Sequence, residues 1–144
     1  MYDARMSTNN AAIIQRFIDE VINQGRYEVC DEIVAEDFLE LDPFPGQGPG
    51  REGLKGVIAA MRSAFPDIHW VTDESISSGD KVVTRFTWTG TQRGDFLGIP
   101  ATGRPVTVKG VVIDRVVNGH MTDSRILMDI FGMMMQLGVI PQPA

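Results

Sequence analysis

The first 65 residues place apolar side chains three to four positions apart, which is the spacing of helices that bury one face. Stretches with this spacing cover residues 10–23, 27–34 and 51–65. The last of them stops before Pro66, because proline disfavours helical backbone in the residue before it. Residues 38–42, between the second and third stretches, alternate like a short strand. The pattern therefore predicts three helices and one strand.

Beyond Pro66 the apolar period shortens to two residues, the period of strands. Alternation predicts four strands, over residues 68–75, 81–91, 106–117 and 121–129. The last two strands are separated by Asn118-Gly119, the dipeptide most typical of a tight hairpin turn. The second part of the chain is therefore predicted to be a meander of strands.

Two connections are too rich in glycine and proline for regular structure. Residues 42–50 contain three prolines and three glycines, and residues 90–105 are dense in glycine. Helices followed by a meander indicate an α+β fold. We expect a strongly curved mixed sheet wrapped over the three N-terminal helices, forming a cone with an apolar interior. The loop at residues 42–50 is expected to lie over the mouth of this cone.

Length and charge narrow the class of protein. A chain of 144 residues is long enough for one domain, which we assign to residues 10–144 after a polar, disordered extension at residues 1–9. The net charge of −6 argues against a nucleic-acid partner or an anionic membrane, since both select clustered Lys and Arg. No signal-peptide pattern and no apolar run near 18 residues is present, so we expect a cytoplasmic protein.

The cysteine and histidine content bears on cross-links and metals. Cys30 is the single cysteine and excludes an internal disulfide. His69 and His120 are far apart and lack the spacing of a zinc or haem site. No metal site is predicted.

The last predicted strand carries charged residues on one face. Side chains two positions apart point the same way, so Asp123, Arg125 and Asp129 share that face. Arg125 and Asp129 could both reach into one cavity, and Asp129 is the strongest candidate for a catalytic acid. The alternative is structural, because residues 130–137 have the length of a short helix for which Asp129 would be the N-cap. The two roles can coexist.

Several stretches of the chain carry a family signature. They are Ala64-Phe-Pro-Asp67, Gly79-Asp-Lys-Val-Val-Thr-Arg85, the glycine-rich residues 90–103, Asn118-Gly119, and Asp129 with Gln136-Leu-Gly138. In order and spacing they resemble the SnoaL-like polyketide cyclases of the NTF2-like (ketosteroid-isomerase-like) superfamily, over roughly residues 12–138.

The resemblance implies a fold, a reaction and an assembly. The fold would be an α+β cone with a deep pocket for a hydrophobic small-molecule substrate, assembled as homodimers or homotetramers. The characterised cyclases close a ring of an aromatic polyketide ester by intramolecular aldol condensation, without metal or organic cofactor. In them an acid at the position matching Asp129 acts as general acid and base. Many members have His at the positions of Leu41 and Gln92 and Trp at that of Arg125, all expected near the pocket, so these differences bear on substrate identity.

An aldol closure needs one proton removed from a carbon flanked by carbonyls and one delivered to the attacked carbonyl, and a single carboxylate can do both. An apolar pocket would raise the pKa of Asp129, whereas the N-terminus of a following helix would lower it. The candidate walls of this pocket are Phe86, Trp88, Phe131 and the methionines 133–135.

Two polar residues have alternative roles. Gln92 could hydrogen-bond a substrate carbonyl or be a solvated loop residue. Arg125 could bind a substrate anion or form an ion pair with a neighbouring acid.

Two other functions compete with the cyclase. An epoxide hydrolase or an isomerase would act on a small hydrophobic substrate, the hydrolase using Asp129, Arg125 and a second acid such as Asp123 or Asp114 to activate water. A non-catalytic protein would bind a small apolar ligand in the same pocket. An apolar cleft with one acid favours the cyclase, and an acid–arginine–acid set favours the hydrolase.

The two long strands at residues 81–91 and 106–117 also predict an assembly. Their outer face would expose alternate apolar residues, either Val111 and Ile113 or Val112 and Val116. Covering such a face takes a partner, so we expect a homodimer at least.

Overall fold

The computed structural model describes residues 4–141, with side chains from residue 9 onward. The helices are α1 (Ala4–Arg16), α2 (Cys30–Ile33), α3 (Gly50–Ala64) and α4 (Ile130–Leu137). The strands are β1 (Val34–Glu40), β2 (His69–Ser78), β3 (Lys81–Thr91), β4 (Pro105–Val117) and β5 (His120–Met128). A π-helical stretch, Phe17–Ile22, continues α1, and a 3-10 turn, Tyr27–Val29, leads into α2. None of the helices within residues 4–141 combines the length and the apolar character that crossing a membrane requires.

The five strands form one curved, unclosed sheet in the order β1-β5-β4-β3-β2. β1 runs parallel to β5, and the other neighbouring strands are antiparallel. α1 contacts β2 and β3, and α3 contacts β1, so the N-terminal helices cover the inner face of a mixed sheet. The α+β fold predicted from the change of period at Pro66 is confirmed.

The junction between α2 and β1 differs from the prediction. The sequence pattern predicts a helix over residues 27–34 and a strand over residues 38–42, yet β1 already begins at Val34. Val34 is fully buried and is in register with Met121 of β5. The apolar spacing of Ile33 and Val34 fits a helix as well as a strand, so pairing with β5 decides the conformation, as tertiary context commonly does.

The N-terminal part of the chain is held by one buried amide. The Asn10 side chain donates hydrogen bonds to the backbone oxygens of Gly79 (3.4 Å) and Val116 (3.3 Å), which ties α1 to the far end of the sheet. Of the extension predicted for residues 1–9, residues 1–3 lie outside the described part of the chain, and α1 begins at Ala4. The domain bounds stay a prediction.

Aromatic side chains fill the space between α3 and the sheet. Trp70 of β2 stacks on Phe86 of β3 with ring centroids 4.2 Å apart, and Phe65 meets Trp88 edge-on at 5.0 Å. Such pairs add about 0.5–1.5 kcal/mol each beyond the burial of their area. A β-carbon at Gly110 of β4 would lie 2.5 Å from the Phe86 ring, so the position of this ring requires a glycine there.

The C-terminal hairpin and helix follow local rules. Asn118 and Gly119 have φ of 51° and 80°, as the two central residues of a type I′ turn require. Gly138, with φ of 81°, ends α4 in the left-handed conformation. The predicted hairpin turn and the predicted helix at residues 130–137 are confirmed.

Candidate active site

A small, partly open cavity of about 70 Å³ lies between the inner face of the sheet and the helices. Its walls are mostly apolar side chains from the first helix, α3 and the strands, among them Phe17, Ile58, Trp70 and Met128. Four polar side chains also line it: Glu40, Gln47, Asp114 and Ser124. Two carboxylates in an otherwise apolar cavity make it the strongest candidate for a catalytic site within residues 9–141.

Asp114 is the most deeply buried acid of this cavity, with only 3% of its surface exposed. Burial disfavours the charged carboxylate and raises the pKa of Asp114 to about 7. The hydroxyl of Ser124 hydrogen-bonds Asp114 and lowers this pKa, whereas the charges of Glu40 and Asp123 raise it further. Near neutral pH such a carboxyl group can both accept and donate a proton.

The alternation of β4 is what turns Asp114 inward. Val106, Val108, Val112 and Val116 occupy buried positions of the strand, and Asp114 takes the place of a valine in that series. The opposite face of β4 carries exposed residues, Val111 and Ile113 among them. A charged residue in the buried series of a strand is costly, so its presence points to a function.

Three neighbouring strands place the polar residues of the cavity in one row. Glu40 of β1 is in register with Ser124 of β5, and Ser124 is in register with Asp114 of β4. Residues in register on adjacent strands point to the same side of the sheet. Ser124 therefore stands between Glu40 and Asp114 in this row.

Glu40 is only partly buried. Burial is the main cause that raises its pKa, and hydrogen bonds from backbone nitrogens act against it. One of these is donated by the Asp42 nitrogen to Oε2 at 3.0 Å. The charge of Asp42 raises the pKa of Glu40 and that of Arg125 lowers it. Glu40 thus lies at the rim of the cavity and Asp114 at its inner end.

The loop at residues 42–50 lies between the cavity and an open surface cleft. Phe44 and Gln47 line both the cavity and an open cleft of about 680 Å³ along α3. The Gln47 nitrogen donates to the Phe44 oxygen at 3.0 Å, and the Phe44 nitrogen donates to Oε1 of Gln47 at 3.2 Å. Phe44 also meets Phe96 edge-on at 6.2 Å. These two loop residues form a wall shared by the cavity and the cleft.

Asp129 is not among the residues that line the cavity. It is exposed and is the N-cap of α4, where Oδ1 accepts a hydrogen bond from the Gly132 nitrogen at 2.8 Å. The structural alternative predicted for Asp129, a helix cap, is confirmed. The backbone oxygen of Asp129 accepts a hydrogen bond from the Met133 nitrogen, whereas Phe86 and Trp88 are buried in the core.

The other predicted polar residues also lie away from the cavity lining. Gln92 is fully buried, but its amide donates to the Ile99 oxygen and accepts from Thr102, so it holds the loop at residues 92–104 together. Arg125 is mostly exposed and lies 3.9 Å from a carboxylate oxygen of Asp42. Gln92 is neither a solvated loop residue nor a cavity donor, and Arg125 points away from the cavity.

The aromatic residues predicted as cavity walls do not line the cavity themselves. Phe86 and Trp88 are fully buried behind the cavity, where both stack with Trp70, a residue that does line it. Trp88 also contacts the lining through Nε1, which donates to Sδ of Met128 at 3.4 Å. Phe131 is 60% exposed. Leu41 is also exposed and lines a shallow surface cleft.

The polar lining bears on the competing functions. No arginine contributes to the cavity, so the acid–arginine–acid set of the epoxide-hydrolase alternative is not assembled there. Within the described residues, no three His, Cys, Asp or Glu side chains cluster as metal ligands would.

Glu40 and Ser124 were not selected as site residues from the sequence, and Asp114 was named only as a possible second acid of the epoxide-hydrolase alternative. For Asp114 a signal existed, because one acid interrupts a series of valines spaced two apart in β4. Both faces of β4 read as apolar, however, so the sequence left open which face is buried. For Glu40 there was no such signal, since the register of β1 against β5 depends on a pairing between distant segments.

Comparisons with known proteins agree on one family. The sequence profile of the SnoaL-like polyketide cyclases matches residues 12–137. The aklanonic acid methyl ester cyclase DnrD of Streptomyces peucetius is 26% identical over 130 residues, which are 88% of this chain and 88% of that protein. The structure of TsrD from Streptomyces laurentii is similar with a TM-score of 0.85 and 28% identity, over 92% of this chain and 97% of that one. A protein from Jannaschia sp. CCS1, described as SnoaL-like, has a TM-score of 0.86 and 26% identity, over 96% and 98% of the two chains.

Proposed function

The chain belongs to the SnoaL-like polyketide cyclase family, and from this premise we propose that it closes a ring of an aromatic polyketide ester by intramolecular aldol condensation. Asp114, rather than the exposed Asp129, is the general acid–base group of this proposal. The observation that carries it is a carboxyl group with 3% exposure in an apolar cavity, and a pKa raised by burial to about 7.

The proposed reaction suits a cavity without strong bases. A carbon between two carbonyls is already acidic, and an aromatic substrate spreads the charge of its enolate. A carboxyl group with a pKa near neutrality can therefore exchange the protons of the reaction. The apolar walls supply the other requirement, because they exclude water and hold the reacting chain folded back on itself.

The size of the cavity sets a condition for this function. Pockets for drug-sized ligands typically have about 300–1,000 Å³, and this cavity has about 70 Å³. We infer that the loop carrying Phe44 and Gln47 moves when the substrate enters, which joins the cavity to the cleft of about 680 Å³ along α3. The reacting end would then lie at Asp114 and the rest of the molecule beneath the loop.

The test compares two aspartates of equal charge. DnrD, the distant relative, is named for aklanonic acid methyl ester, and that ester is the test substrate. Its turnover by wild-type protein, Asp114→Asn and Asp129→Asn is followed by chromatography of the product. We expect Asp114→Asn to lose about 10²- to 10⁴-fold in kcat, the usual worth of general acid–base catalysis, and Asp129→Asn to stay near wild type.

Each result of this comparison has a clear meaning. Wild-type turnover in Asp114→Asn would overturn the assignment of the acid. A loss confined to Asp129→Asn would instead restore the role that the family resemblance implies for that residue. Absence of turnover in the wild-type protein, with this ester and with shorter polyketide esters, would contradict the cyclase itself.

A further inference from the structure

The second carboxylate of the cavity, Glu40, has no role in the reaction proposed above. It lines the same cavity as Asp114 and lies in the same row across the sheet, with Ser124 between the two. Neighbouring strands are about 4.8 Å apart, so the backbones of Glu40 and Asp114 are separated by about 10 Å. All three side chains line the cavity on one side of the sheet.

We propose that Glu40 is a second catalytic residue, the base that takes the proton from the substrate carbon, while Asp114 is the acid that protonates the attacked carbonyl. This inference rests on the proposed function and divides its acid–base work between two groups. A pair of carboxyl groups in different environments is a recurrent way to keep one acid and one base ready at the same pH.

The two environments differ in the required direction. Asp114 is buried at the inner end of the cavity and interacts with the negative charges of Glu40 and Asp123, all of which favour its protonated form. Burial raises the pKa of the partly buried Glu40 as well, but hydrogen bonds from backbone nitrogens and the charge of Arg125 oppose that rise. The proposal therefore places the proton on Asp114 when the pair holds a single one.

The proposed step balances without a cofactor. The Glu40 carboxylate accepts the proton of the carbon between two carbonyls, and the electron pair of that C–H bond enters the enolate. The enolate carbon then forms a bond to the ketone carbon, and the π electrons of the ketone move to its oxygen. That oxygen takes the proton of Asp114. The product has a new C–C bond and a hydroxyl group, Glu40 is protonated and Asp114 is a carboxylate.

Ser124 offers the path by which the pair is reset. Its hydroxyl hydrogen-bonds Asp114. The residue itself is in register with Glu40 on the neighbouring strand. A hydroxyl between two carboxyl groups can donate to one while it accepts from the other. The proton that Glu40 has gained can thus return to Asp114 through Ser124, and the site is ready for another turnover.

Few other charges face the pair. Asp123 acts on Asp114, and Asp42 and Arg125 act on Glu40. The first helix and α3 contribute only apolar side chains to the cavity lining, and the loop at residues 42–50 contributes Phe44 and the uncharged Gln47. The pH dependence of the reaction should therefore be dominated by Glu40 and Asp114.

The kinetic test uses pH profiles of kcat/KM and kcat with the ester named above. The wild-type profile should rise as Glu40 loses its proton and fall above about pH 7 as Asp114 loses its own. Glu40→Gln should lower kcat about 10²- to 10⁴-fold, leave KM nearly unchanged and abolish the rising limb. Glu40→Asp, which keeps a carboxyl group, should restore part of the rate and the limb. Glu36→Gln is the matched control, an exposed glutamate on the same strand.

A second measurement needs no substrate. The pKa of Asp114 is read from its side-chain carbon signal in ¹³C-labelled protein, in wild type and in Glu40→Gln. Removing the Glu40 charge should lower that pKa, because the charge raises it, and Glu36→Gln should leave it in place. The same spectra show whether each variant is folded.

The outcomes separate this inference from the proposed function. If Asp114→Asn loses turnover but Glu40→Gln keeps wild-type kcat and both limbs of the profile, the role of Glu40 is overturned and the cyclase with a single acid stands. If both variants have a lower kcat, and the pH profile of Glu40→Gln lacks its rising limb but keeps its falling limb, both proposals are supported. If neither variant loses turnover, the catalytic roles proposed for Asp114 and for Glu40 are both wrong.

Discussion

The carboxylate of Asp129 and the backbone of Gly132 form a matched pair at the start of α4. Oδ1 accepts the Gly132 nitrogen at 2.8 Å, and a β-carbon at residue 132 would collide with the same carboxylate. The family-matching acid of the sequence therefore has a complete structural role, with a glycine three residues later that makes room for it.

This pair predicts a graded effect on stability. Asp129→Asn should change the free energy of unfolding little, because Asn caps a helix about as well as Asp, and Asp129→Ala should lower it by about 1 kcal/mol. Gly132→Ala should also be destabilising, since its β-carbon displaces the cap. Urea unfolding at pH 7 measures all three. Equal stabilities of the Asn and Ala variants would contradict the cap.

Asp114 predicts a dependence of stability on pH. Its pKa is raised in the folded protein from 3.8 to about 7, so the folded state binds this proton more tightly than the unfolded state does. Its favourable contribution is complete below about pH 4 and is lost as the pH rises through about 7. Asp114→Asn removes this loss, so the stability of the variant relative to wild type should grow by about 2–3 kcal/mol between pH 5 and pH 8. A difference that is constant over this range would contradict the burial of the charge.

Phe44 predicts a change in the rate of ligand entry. Its edge contact with Phe96 at 6.2 Å helps to hold the loop over the cavity, and such a pair contributes about 0.5–1.5 kcal/mol. Phe44→Ala should therefore ease opening and raise the association rate of the ester about fivefold, as measured by stopped-flow fluorescence of the tryptophans. Phe131→Ala, at an exposed position outside the cavity lining, is the control. Unchanged association in Phe44→Ala would argue for another entrance.

The outer face of the sheet predicts the assembly. Val111 of β4 and Leu127 of β5 are in register, and their exposed fractions are 40% and 73%. Ile113, on the same face of β4, is 39% exposed. We propose that this face is covered in a homodimer, as expected from the sequence. Leu127→Glu should weaken dimerisation by roughly 10- to 100-fold, because it places a charge in an apolar interface. Ala12→Glu on exposed α1 should not. Sedimentation at micromolar concentration measures the oligomeric state, and a monomeric wild type would contradict the proposal.

The parts of the fold that the sequence predicts well are those that depend on neighbouring residues. The strand at residues 81–91, the hairpin at Asn118-Gly119 and the cap and stop of α4 each follow from alternation or turn chemistry. The face of β4 that is buried does not, because Val111 and Val112 are equally apolar. Whether Asp114 enters the cavity depends on that face, so the sequence named Asp114 only as a possible second acid and favoured Asp129, the acid that the family resemblance matches.

The register of β1 lies beyond local reasoning for a related cause. A shift of one residue would turn Glu40 outward and Leu39 inward. This choice is fixed by pairing with β5, a strand that is distant in the sequence. No residue near β1 in the sequence indicates it. The alternation of β1 is also broken by an irregularity between Val34 and Leu39. The site is therefore less predictable than the fold that carries it.

The parallel pairing of β1 with β5 also bears on how the protein folds. β2 to β5 are joined by short or moderate connections and can form by successive local steps, whereas β1 must find its partner from the other end of the chain. Contacts between distant segments form slowly, because the entropy of closing the loop is lost before they are made. We expect β1 to dock late, after the antiparallel meander. Glu40 and Asp114 would then come together only in the last stage of folding, so that a carboxylate pair which is costly to bury assembles after most of the apolar core is in place to hold it.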